Sequence, residues 1–226
     1  MTQRHWLPQT LLALYAPVWI ACAINPLFPS DWLIENVLVF LALPTVLYAW
    51  RFQRFSDGAC VGMFLFFCLH SLGSHYTYAE VPYDRWWQAL TGHTFNSLFG
   101  WERNHFDRLV HLAYGLLLTP IFTELIGRVV RVRRAVWMWV VMASFMGLHA
   151  MVYELVEWAA AMVVAPELGA AYLGTQGDVW DAHKDMALAV LGNLMALAYM
   201  SLRGRLSLTG DDVPPVVSTL GNPARR

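Results

Sequence analysis

The sequence predicts an all-α polytopic membrane protein, a bundle of about six transmembrane helices with both termini cytoplasmic. Three observations carry that expectation. The 226 residues are 58% hydrophobic and 14% charged, where soluble domains carry roughly 25% charged residues, and the mean hydropathy is +0.43. Six apolar segments approach the ~20 residues that a helix needs to cross a bilayer. The basic residues fall unevenly between the two sets of span ends.

The segments are Pro8 to Ile24, Trp32 to Trp50, Gly58 to Tyr78, Phe106 to Val130, Ala135 to Ala165 and Ala182 to Leu202. The first follows a single arginine, and no small-residue cleavage site closes it, so it reads as a retained span. Asn25-Pro26 stops it, and Asp31 is positioned to cap the second. The fifth is longer than a span requires. Residues 1–205 thus form one six-span domain. Its longest connection, residues 79–105, holds Trp86, Trp87, Phe95, Phe99 and Trp101 among polar residues. Indole rings concentrate at headgroup depth, so this stretch reads as an outer, interfacial, Trp-rich loop. The tail, residues 206–226, contains Asp211, Asp212, Pro214 and Pro215 without apolar periodicity and reads as a disordered cytoplasmic segment.

Orientation follows from Lys and Arg near the span ends. Arg4, Arg51, Arg54, Arg128, Arg131, Arg133, Arg134, Arg203, Arg205, Arg225 and Arg226 share one side; Arg85, Arg103, Arg108 and Lys184 share the other. The first side is therefore cytoplasmic. A net charge of −1 offers nucleic acid no basic surface. Cys22, Cys60 and Cys68 have no metal-type spacing and read as small core residues.

With that topology the polar residues sort by depth. His70 and His75 end span three, and Asp107, Arg108, His111 and Tyr114 open span four. His149, Tyr153, Glu154 and Glu157 occupy the outer half of span five, and Asp178, Asp181, His183, Lys184 and Asp185 open span six. All lie on the outer side, where ionisable groups inside spans mark functional sites by default. His149, Tyr153 and Glu157 share one helical face. Asp178 and Asp181 also suit a capping arrangement, while Asp107 or Asn104 could cap span four and His111 could take Asp107 as its i−4 partner. No HExxH or GxSxG occurs, so a metal would draw single ligands from several helices. Glu124, deeper in span four, is expected to pair with Arg128 at i+4.

Three stretches resemble the YjdF-like family of bacterial inner-membrane proteins. They are His111-Leu-Ala-Tyr114-Gly115, Tyr153-Glu154-Leu-Val-Glu157-Trp158 and Gly177-Asp178-Val-Trp180-Asp181-Ala-His-Lys184-Asp185-Met186. The resemblance implies an integral inner-membrane protein and brings no established activity. A more distant similarity to VanZ-like proteins rests on Asp107-Arg-Leu-Val-His111 opening one helix, an acidic helix next, and a last helix with an Asp and Asn193. It implies an association with glycopeptide tolerance.

The functional expectation is an outward-facing pocket built by spans three to six under the Trp-rich loop. It would bind or modify the polar head of a lipid or polyprenyl-linked amphiphile, with a divalent metal as candidate cofactor. His111, Glu154, Glu157, Asp181 and Asp185 are the candidate catalytic groups, Arg108 and Lys184 the anion-binding ones, and His149, His75 and Asp178 candidate metal ligands. Membrane lipid and the amphiphile are the expected partners. The alternative is a non-enzymatic amphiphile or ion binder, or a proton-coupled transporter.

Overall fold

A computed structural model describes residues 6–50, 55–130, 132, 135–164, 175–204 and 206. Those residues form eight helices and no strand. They are α1 (Leu7–Ala23), α2 (Pro29–Ala49), α3 (Asp57–His75), α4 (Tyr83–Thr91), α5 (Phe95–Phe99), α6 (Phe106–Val129), α7 (Ala135–Val164) and α8 (Asp181–Leu202). Five of them, α2, α3, α6, α7 and α8, are long and apolar enough to cross a membrane, and α1 is a shorter apolar helix. Arg4, His5, Arg51, Arg54, Arg131, Arg133, Arg134 and Arg205, expected on the cytoplasmic side, lie outside the described residues, as do the Arg128 side chain and residues 207–226.

Helix starts depart from expectation for local reasons. Pro29 occupies the first turn of α2 and sets its φ for helix, so the helix begins before Trp32 and Asp31 lies inside its first turn instead of capping it. At α6 the Asn104 side chain accepts from the Phe106 amide at 2.9 Å, which leaves Asp107 free of capping duty. Asp178 likewise does not cap α8, which starts at Asp181; its Oδ1 accepts from the Trp180 amide within the preceding turn. Span three ends early because Thr77 and Tyr78 turn into the left-handed region. That turn folds the Tyr78 ring onto Gly73 and its hydroxyl to 2.6 Å from His70 Nδ1.

The bundle is centred on the crossing of α6 and α8. A methyl on Gly115 would collide with the Ala189 carbonyl, and one on Gly192 with the Leu112 carbonyl. Two bare backbones therefore touch, the close approach that small residues permit inside membranes. Gly62 of α3 meets the Leu117 carbonyl in the same way on the other side of α6. Below the crossing Asn193 Nδ2 donates to Thr119 Oγ1 at 2.7 Å, both residues fully buried.

The remaining helices pack around this pair. Met138, Met142 and Met146 of α7 close over Leu197 of α8. Tyr15 of α1 bonds Ser71 of α3 at 3.0 Å, and Trp19 of α1 donates to Asn36 of α2 at 2.7 Å. Buried Asn36 also donates to the Ser74 hydroxyl of α3 at 3.4 Å, so α2 is held by polar contacts where most of its surface is exposed. Glu124 accepts from the Ser56 amide at 2.9 Å, tying the far end of α6 to the start of α3.

Candidate functional site

Because α6 and α8 touch at Gly115 and Gly192, their N-terminal turns stand side by side. The first turns of both are acidic, and α7 runs past them with a histidine and two glutamates. The result is two adjoining polar clusters with different chemistry.

The upper cluster is an ion-pair clamp. Arg108 Nη2 reaches Asp178 Oδ2 at 2.5 Å and Asp181 Oδ1 at 3.2 Å, while Arg103 Nη1 reaches Asp181 Oδ1 at 2.7 Å. Lys184 Nζ adds a third cation on Asp178 at 2.5 Å. The Lys184 hydrogen bond, followed by the Trp180 amide, holds the Asp178 carboxyl well below the usual carboxylate range. Gln176 pins the turn by exchanging hydrogen bonds with the Asn104 backbone, accepting at 2.9 Å and donating at 3.1 Å. Gln176 and Gly177 both have positive φ, which lets the turn present Asp178 to the arginines.

One turn deeper the balance reverses. His111 Nε2 lies 3.6 Å from Asp107 Oδ1 and 3.6 Å from Glu154 Oε1. Asp185, 2% exposed, faces them from α8, and ligand atoms of Asp107, His111 and Asp185 all fall within 4.8 Å of one another. Glu154 Oε1 and Asp185 Oδ1 are buried without a hydrogen-bond partner. Asp107, Glu154, Glu157, Asp178, Asp181 and Asp185 line one cleft of about 590 Å³ between α6, α7 and α8. Behind it lies a chamber of about 40 Å³ walled by His70, Tyr78, Asp107, His111, Tyr114, His149 and Tyr153.

The expected site residues thus divide. His111, Glu154, Glu157, Asp181 and Asp185 come together at the cleft and its floor. Arg108 and Lys184 are engaged by Asp178, which is itself occupied by cations. His149 is deeper, its Nδ1 2.7 Å from the Tyr114 hydroxyl. His75 stands apart, with Nδ1 2.9 Å from the Cys22 carbonyl oxygen at the α1–α3 seam. Glu124 accepts from Ser56.

Sequence reasoning missed Glu35. Its Oε2 accepts from the Tyr153 hydroxyl at 3.0 Å, which adds α2 to the four expected helices. The depth argument, applied to the second turn of span two, would have placed it beside the others. Arg103 was sorted only by side, yet it holds Asp181 and the Thr175 carbonyl. Tyr78 was taken as a span end; its ring walls the chamber beside Asp107 and its hydroxyl lies 2.6 Å from His70 Nδ1.

The Trp-rich stretch folds as the α4–α5 hairpin, held by Tyr83 donating to Asn96 at 2.7 Å and by Asn96 donating from its amide to Asp84 and from its side chain to the Arg103 carbonyl. None of its residues lines the cleft. It walls a neighbouring apolar groove of about 590 Å³ with Tyr83, Trp87, Phe95 and Trp101 facing Leu109, Leu112 and Leu188. His105 and Arg108 stand in the same groove. Burial, and then Arg108 and Arg103, pull the His105 imidazole below its ordinary value.

A family model for predicted membrane proteins, DUF2238, matches residues 7–205. The chain belongs to this family. Within curated proteins, the DUF2238 chain is similar to inner membrane protein YjdF of Escherichia coli (strain K12), 32% identical over 171 residues, which is 75% of this chain and 77% of the relative. No solved structure matches. Together with five helices of spanning length, these likenesses make this DUF2238 protein a multi-pass inner-membrane protein. The VanZ-like similarity finds no support among these matches.

Proposed function

We propose that the cleft faces outward from the inner membrane and takes the polar head of an amphiphile, a lipid or polyprenyl-linked molecule, for metal-assisted hydrolysis or transfer. The observation that carries this reading is the meeting of two unlike cavities at one residue. Arg108 lines the aromatic, apolar groove while its guanidinium reaches Asp178 in the wall of the polar cleft. An acyl or prenyl chain suits the groove, and a head group suits the cleft. Arg103 Nη2 and Arg108 Nε are buried donors without partners, the type of group that a phosphate oxygen satisfies. His111 would act as base or ligand, and Glu154, Glu157, Asp181 and Asp185 as the carboxylates around it.

The test compares lipid extracts of membranes carrying wild type, Glu157→Gln or Asp185→Asn, alongside mass spectrometry of lipid retained by the purified proteins. Wild type is expected to retain an anionic amphiphile and both variants to change the lipid profile. Folded variants with wild-type lipid composition and phenotype would sink the catalytic reading.

A proton-coupled transporter is favoured by one further observation. Buried Thr119, Asn193 and Thr123 continue polar groups beyond His149 toward Glu124. Uptake into vesicles that depends on a pH gradient would put this reading first.

A further inference from the structure

We infer that Asp107, His111 and Asp185, joined by Glu154, bind one divalent transition-metal ion, zinc or manganese, at the floor of the cleft. The inference deepens the head-group reading and rests on it only for what the ion acts upon. The site itself stands on geometry and charge.

His111 Nε2 is 3.6 Å from a carboxylate oxygen on each of two helices. That is too long for a hydrogen bond. Two ligand atoms each about 2.1 Å from a shared ion at a tetrahedral angle stand about 3.4 Å apart, so the spacing suits ligands closing on a common centre. Asp185 supplies the third position within 4.8 Å, and its buried Oδ1 has no hydrogen-bond partner. Glu154 Oε1 is likewise buried and unpartnered. Orphaned carboxylate oxygens of this kind in a low-dielectric setting call for a cation.

Protein cations do not fill that need. Arg103, Arg108 and Lys184 are directed to Asp178 and Asp181, one turn above. Below them three carboxylates surround one imidazole. One nitrogen with three oxygens selects a borderline ion; an all-oxygen set would suit calcium or magnesium, and thiolates would suit copper(I). Because Asp107, Glu154 and Asp185 also line the cleft, the ion would keep a face open to a head group. This set differs from the ligands expected from sequence. His149 is paired with Tyr114, Asp178 is held by Arg108 and Lys184, and His75 lies at another seam.

The test strips the purified full-length protein with chelator and titrates it with Zn²⁺ and, separately, Mn²⁺, without added lipid. Calorimetry and elemental analysis count bound ions, and pulsed electron paramagnetic resonance of the Mn²⁺ form reads a coordinated imidazole nitrogen. One equivalent is expected for wild type and for His93→Ala, whose histidine lies exposed in the α4–α5 turn. Asp185→Asn and His111→Gln are expected to weaken binding by at least about 100-fold, since losing even an outer-sphere partner costs 10- to 100-fold. The nitrogen coupling is expected to vanish in His111→Gln. Failure of stripped wild type to bind either ion stoichiometrically overturns the site, as does binding or nitrogen coupling that survives the His111 change. Because the wild-type arms need no variant to fold, a misfolded variant leaves the proposal open to refutation. Lipid retained by a protein that binds no ion would refute the ion site and spare the head-group reading; an ion without lipid would do the reverse.

Discussion

Two acid-rich clusters sit one helical turn apart at the start of α6 and α8, and they are built on opposite terms. Around Asp178 and Asp181 every carboxylate meets a guanidinium or ammonium at 2.5 to 2.7 Å. Around Asp107, Glu154 and Asp185 the nearest counter-group is one histidine at 3.6 Å, and two carboxylate oxygens have no hydrogen-bond partner. A clamp whose charges are matched can hold helices together. A cluster whose charges are unmatched costs stability unless protons or a ligand neutralise it. The comparison therefore separates scaffold from site among residues that look alike in sequence.

The largest effect is expected where both clusters share a foundation. Gly115→Leu or Gly192→Leu forces α6 and α8 apart at a backbone contact, and overpacking of that kind costs about 3 kcal/mol or more. Thermal melts in detergent should drop sharply, with metal and lipid binding lost together. If binding persisted, the crossing would not be what assembles the clusters.

Next comes a contrast of sign. Asp181→Asn takes from Arg103 its 2.7 Å partner and leaves both arginines to share Asp178 with Lys184, and weakening one side of a buried ion-pair network is destabilising by up to about 3 kcal/mol. Asp185→Asn removes an unmatched carboxylate, so the metal-free protein should melt no lower than wild type. Equal losses in the two variants would erase the distinction.

The smallest effects concern pH. Asp178 is depressed by Lys184 and the Trp180 amide. Its contribution is thus fully present above the ordinary carboxylate value of about 3.9 and disappears only as pH falls through the lower folded value. Melting between pH 5 and pH 8 should show no step from the clamp. His105 is depressed by burial and the two arginines. The unfolded chain therefore takes up the proton first, and stability should fall as pH drops through about 6.5. His105→Gln is expected to flatten that slope, and an unchanged slope would assign it to another group.

Much of this arrangement was legible in the sequence, for a physical reason. Ionisable residues are so costly in hydrocarbon that their depth alone groups them, which is how His111, Glu154, Glu157, Asp181 and Asp185 were collected from three spans. Depth does not give partners. Nothing in the order of residues says that Lys184 and Arg108 converge on Asp178, or that Asn104 relieves Asp107 of capping. Glu35 was missed because depth was not applied to span two, and its partner is known only once Tyr153 is seen donating to it. The aromatic loop was recognisable by composition, yet whether it roofs the cleft or walls a separate groove depends on the Asn96 and Asn104 side chains that fold it back.

The contact between Gly115 and Gly192 also acts as a fulcrum. Asp107 lies eight residues from Gly115 along α6, a lever of about 12 Å at the rise of a helix, so a change of about 5° in the crossing angle moves the facing carboxylates by about 1 Å. That is the scale on which coordination or head-group fit is won or lost. The width of the site is governed by two residues that never touch what it holds, and selection acting on affinity would reach them as surely as it reaches the ligands themselves.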